Sequence, residues 1–111
     1  MEQDVAKFRA RHPGKPITFT EFGADAIAGV HTQPPDKWSE EYRADVIEMY
    51  SRTLERFPFI VGTPPWSFAD FRTSQSVMRV GALNQNGVFT RDRRSKVAAL
   101  RLHELWIERR D

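Results

Sequence analysis

The stretch that most constrains this chain is Lys15-Pro16-Ile17-Thr18-Phe19-Thr20-Glu21-Phe22-Gly23. It reads as a buried strand that ends in a carboxylate and turns on a glycine. Pro16 stands at the strand entry, where a missing N–H costs nothing because pairing has not begun. Ile17, Thr18, Phe19 and Thr20 are β-branched or aromatic, the side chains that suit a pleated surface. Regular alternation places Glu21 on the face shared by Ile17 and Phe19. An acid at the carboxyl end of such a strand is well placed for chemistry, so Glu21 is the candidate active residue.

The flanking segments supply the elements on either side. Residues 2–11 read as a helix, with Val5 and Phe8 three apart on one face. His12-Pro13-Gly14 stops it, because proline disfavours helix in the residue before it and glycine suits the cap. Residues 22–37, with Gly23, Gly29, Pro34 and Pro35, form a long loop, and a connection of that length in a compact domain is usually functional. A second helix is expected from about Trp38 to Phe57, capped by Asp36 or Ser39. Its stripe is read as Tyr42, Val46, Met49, Tyr50, Thr53 and Phe57, with Arg43, Glu48, Arg52 and Glu55 mainly off it. Pro58 opens a second strand, Phe59-Ile60-Val61-Gly62, apolar throughout as strands buried on both faces are. After Trp66-Ser67-Phe68-Ala69-Asp70-Phe71 comes a polar, irregular stretch over 72–92. The last helix starts near Ser95, its expected cap, and runs through Val97, Ala98, Leu102, Leu105 and Trp106.

Helix, strand, helix, strand, helix implies a parallel βαβ unit. Two parallel strands leave both edges open and need cover on both faces. A full (β/α)8 barrel takes roughly 250 residues, so a 111-residue chain with two such strands corresponds to about a quarter of one. The expected fold is therefore α/β: a partial (β/α)8 TIM barrel, the last two βα units with a preceding helix, over residues 1–111 as one unit.

Composition removes other classes. There is no cysteine, so neither a disulfide framework nor a cysteine-based zinc site is possible. His12, His31 and His103 lack ligand spacing and read as surface or loop residues, so no metal is expected. A net charge of +2 is small and gives only weak evidence for nucleic acid, so none is expected as a partner. The cluster Arg91, Arg93, Arg94 and Lys96 is read as a solvated turn. No run approaches the ~20 apolar residues that span a bilayer, and the acidic amino-terminus has no signal-peptide run, so a cytoplasmic product without membrane association is expected.

Several segments taken together carry a resemblance. Thr20-Glu21-Phe22-Gly23, Trp38-Ser39-Glu40-Glu41-Tyr42, Trp66-Ser67-Phe68-Ala69-Asp70-Phe71, Arg79-Val80-Gly81 and Gly87-Val88-Phe89-Thr90-Arg91-Asp92-Arg93 occur in one order. They resemble the C-terminal part of the β-glucuronidases of glycoside hydrolase family 2, from Lys15 to Trp106. The resemblance implies that the strand ending at Glu21 is the seventh of the barrel and that Glu21 is the nucleophile of a retaining O-glycosyl hydrolase. The strand at 59–62 would be the eighth, Trp66 would floor the sugar subsite, and Arg79 would lie near the substrate carboxylate. The family's Asn-x-Lys pair is met by Asn84-Gln85-Asn86, which keeps the asparagine and replaces the lysine. The family's acidic residue and asparagine are met by Thr63 and Ser67.

A charged lysine makes a hydrogen bond to carboxylate roughly twice as strong as an amide does. A uronic acid would here be met by the amides of Asn84 and Asn86 without that charge. Retaining hydrolysis also needs a second carboxyl about 5–5.5 Å away. In the family this acid/base residue follows an asparagine, and the chain has no Asn-Glu dipeptide. A truncated or split enzyme, inactive alone, is expected, with a carbohydrate substrate and a missing barrel segment or a second copy as partner. The alternative is a non-catalytic α/β interaction module that pairs through exposed strand edges. Phe68 and Phe71 are read as packing residues, Asp70 as a structural hydrogen-bond acceptor or a support to the site, and Asn84 and Asn86 alternatively as turn residues.

Overall fold

In a computed structural model, residues 1–110 are described. The elements in order are α1 (Glu2–Arg11), β1 (Ile17–Thr18), α2 (Glu40–Glu55), β2 (Ile60–Gly62), β3 (Phe71–Arg72), a short 3-10 turn (Val80–Ala82), β4 (Leu83–Asn84) and α3 (Val97–Glu108). β1 and β2 pair in parallel across α2, with Ile17 opposite Ile60 and Thr18 opposite Gly62. Ile17 N donates to Phe59 O and Phe19 N to Gly62 O, each at 2.9 Å. The expected βαβ unit is present, but its ladder is confined to Ile17–Thr18, with a register irregularity between the two, and does not span residues 16–21. No closed barrel forms, and the chain is a partial one.

The helix boundaries follow local chemistry. α1 ends at His12, and Gly14 takes a φ of 80°, a left-handed conformation that glycine adopts without steric cost. Ser39, not Asp36, caps α2, its Oγ accepting from Tyr42 N at 3.1 Å. Ser95 does not cap α3. Glu40 does so from outside: its carboxylate accepts from Val97 N at 2.9 Å and from Gly29 N at 3.1 Å. One buried acid thus ties the loop after β1, the start of α2 and the start of α3.

The buried face of α2 is rotated from the expected stripe. Glu40, Arg43, Ala44, Ile47, Ser51 and Leu54 face inward, whereas Met49 is 54% exposed. Ile47 joins Phe22, Val88, Ala98 and Leu102 in the core, and Tyr50 stacks on Phe22 at 5.3 Å between ring centroids. Val5 is buried, yet Phe8 is exposed, and Val61 in β2 is 66% exposed instead of covered on both faces. A strand apolar throughout needs cover on both faces, and among the described residues the face that carries Val61 is left open. Residues 72–92 are also more ordered than expected, since β3 and β4 pair antiparallel, Phe71 opposite Asn84. Phe68 remains exposed and Phe71 partly so, each touching another aromatic ring: Phe68 against Phe89, and Phe71 edge-on to Trp66.

The long loop is pinned to α2 by a histidine. His31 Nδ1 lies 2.6 Å from Glu41 Oε1, and Thr32 N donates to Glu41 Oε2 at 3.2 Å. The hydrogen bond to Glu41 raises the His31 pKa above the ordinary 6.5 and lowers that of Glu41. A raised histidine pKa stabilises the fold below the unfolded value, and that contribution fades as pH climbs through the folded one. His31 should therefore titrate by NMR above its ordinary midpoint and return to it in Glu41→Gln. The same midpoint in both proteins would exclude the pair.

Candidate functional site

Glu21 lies just beyond β1 and is exposed, as its position at the strand end requires. It lines an open groove of about 350 Å³ together with Val5, Phe8, Ile17 and Phe19. Glu21 joins none of the ion pairs formed among the described residues. It is an uncommitted carboxylate at the carboxyl end of a parallel strand.

The backbone beside it is closely held. Trp66 N donates to Phe22 O at 2.9 Å, so the end of the β2 segment runs directly against the residue after Glu21. Gly23 has a φ of 144°, and a Cβ there would lie 3.0 Å from Trp66 O. Only glycine allows that approach without a shift. Trp66 is partly exposed, and its peptide bond to Ser67 is cis. Arg43 clamps both segments, donating through Nη1 to Ala24 O and through Nη2 to Trp66 O, the latter at 3.2 Å. Arg43 is fully buried, and burial pulls its pKa down to about 10 against the opposing charges of Asp70 and Asp25. Its Nε is the one buried side-chain polar atom without a partner among the described residues.

A second group forms around Asp25. Arg79 Nη1 lies 3.3 Å from Asp25 Oδ1, and Asn86 Nδ2 donates to the same oxygen at 2.8 Å. Two of the expected substrate-binding residues are thus brought together, by an acid that sequence reading passed over. Asn84 is buried, and its Oδ1 accepts from Asn86 N at 3.1 Å, which is the local turn-forming bond of an asparagine. Ser67 N donates to Asn86 O at 2.7 Å, which joins the Asn84–Asn86 segment to Trp66.

Beneath these segments sits an ion pair. Lys96 is 1% exposed and donates to Ala26 O at 2.7 Å, Asp70 Oδ1 at 2.8 Å and Gln85 O at 3.2 Å. Asp70 also accepts from Gly87 N at 2.9 Å. Lys96 is therefore no member of a solvated basic turn, and Asp70 is a structural acceptor. Burial lowers the Lys96 pKa, and Asp70 opposes the shift. Asp25, Arg43, Glu40 and Lys96 were all missed as organising residues. Charged residues carry no sequence sign that partners far along the chain will hold them. For Asp25, the one available signal was its place in the loop that leaves Glu21.

Among the described residues, no three His, Asp or Glu side chains cluster as metal ligands. None of the helices is long and apolar enough to cross a membrane.

Known proteins are similar to this chain in sequence and in fold. The family model described as "Glycosyl hydrolases family 2, TIM barrel domain" matches residues 1–109. A β-glucuronidase of Paenibacillus borealis is 45% identical over 98 residues, covering 88% of this chain and 16% of that protein. The Mus musculus β-glucuronidase is 48% identical over 92 residues, covering 81% of this chain and 14% of that protein. Among solved structures, a β-D-glucuronidase from Dictyoglomus thermophilum superposes with a TM-score of 0.90 at 45% identity, over 95% of this chain and 18% of that one. The Ruminococcus gnavus β-glucuronidase in complex with D-glucuronic acid superposes at 0.88 and 41% identity, over 94% and 18%. The chain spans less than a fifth of the length of these relatives. With a parallel pair carrying an acid at its carboxyl end and a family match over residues 1–109, the chain belongs to glycoside hydrolase family 2, within its TIM barrel domain.

Proposed function

We propose that this chain carries the nucleophile side of a retaining glycosidase acting on β-glucuronides or closely related glycosides. Glu21 attacks the anomeric carbon and forms a glycosyl-enzyme intermediate, which water then hydrolyses. Trp66 floors the sugar subsite, and Arg79, Asn84 and Asn86 surround the polar end of the sugar. The observation that carries this reading is the placement of Glu21. It is an exposed, uncommitted carboxylate at the carboxyl end of a parallel strand, one residue before the backbone that bonds to Trp66. The names of the relatives, one of them holding D-glucuronic acid, support the substrate class. No metal or cofactor enters this chemistry.

A nucleophile alone does not turn over a glycoside. Protonation of the leaving oxygen needs a second carboxyl about 5–5.5 Å from the first, and we assign it to a barrel segment outside residues 1–111. The chain alone should therefore leave a chromogenic β-glucuronide intact. Co-expressed with the complementary part of a related barrel, it should gain turnover, and Glu21→Gln should then lower kcat by at least ~10³-fold. Turnover by the chain alone that vanishes in Glu21→Gln would overturn the need for a second segment. Full activity of the assembled Glu21→Gln variant would overturn the nucleophile.

The exposure of Val61 and Phe8 beside the open strand edges favours one further reading, a module that binds another chain through those edges. A discrete oligomer with a cooperative melt in size-exclusion and thermal experiments supports it, and a monomer excludes self-pairing.

A further inference from the structure

A second hollow adjoins the site on the other side of Asp25. It is open, measures about 410 Å³, and is lined by Ala24, Asp25, Lys37, Trp38, Tyr42 and Met78. Three separate segments converge there: the loop after β1, the approach to α2 with its first turn, and the stretch between β3 and β4.

Trp38 has a φ of 72°. A bulky residue rarely takes this left-handed conformation, which persists only where the surroundings impose it, and such positions gather at functional sites. Here Ile27 N donates to Trp38 O at 2.9 Å, and Ala26 and Trp38 form a parallel bridge. The backbone of the aromatic residue is thereby ordered before any ligand arrives, which reduces the cost of binding.

The charges are unequal in their commitments. Asp25 is held by Arg79 and Asn86, so its charge is offset. Lys37 is exposed and joins no ion pair among the described residues. The hollow therefore presents one uncompensated cation beside the aromatic surface of Trp38 and Tyr42. An apolar ring face next to a point charge suits a ligand with C–H faces and one carboxylate.

We propose that this hollow is a second sugar subsite that takes a uronic acid residue, its ring against Trp38 and its carboxylate on Lys37. The subsite shares Asp25 with the site proposed above but does not depend on Glu21 being the nucleophile. The three indole N–H signals, from Trp38, Trp66 and Trp106, provide separate readouts in the ¹⁵N-labelled chain, and their dispersion reports the fold of each variant.

Titration with D-glucuronate at constant ionic strength should shift the Trp38 signal. Lys37→Met should weaken the response about tenfold, the loss of one charge-assisted bond, and Lys37→Arg should retain it. Glucose should bind about tenfold more weakly than glucuronate. Movement of Trp66 alone would overturn the second subsite and leave the first standing. Equal responses to glucose and glucuronate, or an equal response to acetate, would overturn the assignment to a uronic acid. A Trp38 signal that stays still throughout would overturn the subsite itself.

Discussion

Lys96→Met should abolish the cooperative melt of this chain, or lower its stability by about 3–5 kcal/mol, the usual cost of removing one partner of a buried ion pair. The reason is the carboxylate left behind. Asp70 is buried, and Lys96 is the only ion-pair partner it has among the described residues. Lys96 also bonds Ala26 O and Gln85 O, so three segments lose a shared donor at once. A small domain begins with only ~5–15 kcal/mol, and a chain this short sits toward the low end. Urea melts followed by circular dichroism measure the loss. Removing the charge of Asp70 as well, in Asp70→Asn with Lys96→Met, should cost less than the two single changes summed, because no uncompensated charge remains. A Lys96→Met protein within about 1 kcal/mol of the parent would show that Asp70 is not left as a costly uncompensated charge.

Gly87→Ala should be comparably severe for a steric reason. A Cβ at this position would overlap Asp70 N, Ala69 C and Phe89 O. All three are backbone atoms, which cannot swing aside as the end of a side chain can. The segments they belong to are tied there: Asp70 N donates to Phe89 O at 3.0 Å, and Gly87 N to Asp70 Oδ1 at 2.9 Å. The chain around Asn86 must move, so the Asp25–Asn86 bond is lost with the packing. A loss of ~4 kcal/mol or more is expected, in the range that marks a disrupted core. Gly29→Ala is the control. A Cβ there meets nothing within 4 Å, and only its φ of 83° resists substitution, at about 1–2 kcal/mol. If melts rank the two variants equally, the close approach at Gly87 is not what requires glycine.

Much of the scaffold was legible in residue order. His12-Pro13-Gly14 ends α1 and Ser39 starts α2, because caps and breakers act on neighbouring backbone. β1 and β2 were legible from β-branched and aromatic residues bounded by prolines and glycine, and their parallel pairing from the helix between them. The position of Glu21 at a strand end came from the same pattern. Its neighbours did not. The inward face of α2 was misread because Arg43 looks like a solvent-facing residue, and its carbonyl partners at Ala24 and Trp66 are 19 and 23 positions away. Lys96 was misread likewise, its carboxylate partner lying 26 positions back.

Local backbone chemistry, written in short stretches of sequence, thus determined where the helices and strands fall and which acid ends the first strand. Tertiary structure alone decided which charges are buried and which side chains share the Asp25 cluster. Burying a charge is tolerable only where distant segments bring it an opposite charge or aligned carbonyl oxygens, and that meeting exists only once the chain has folded.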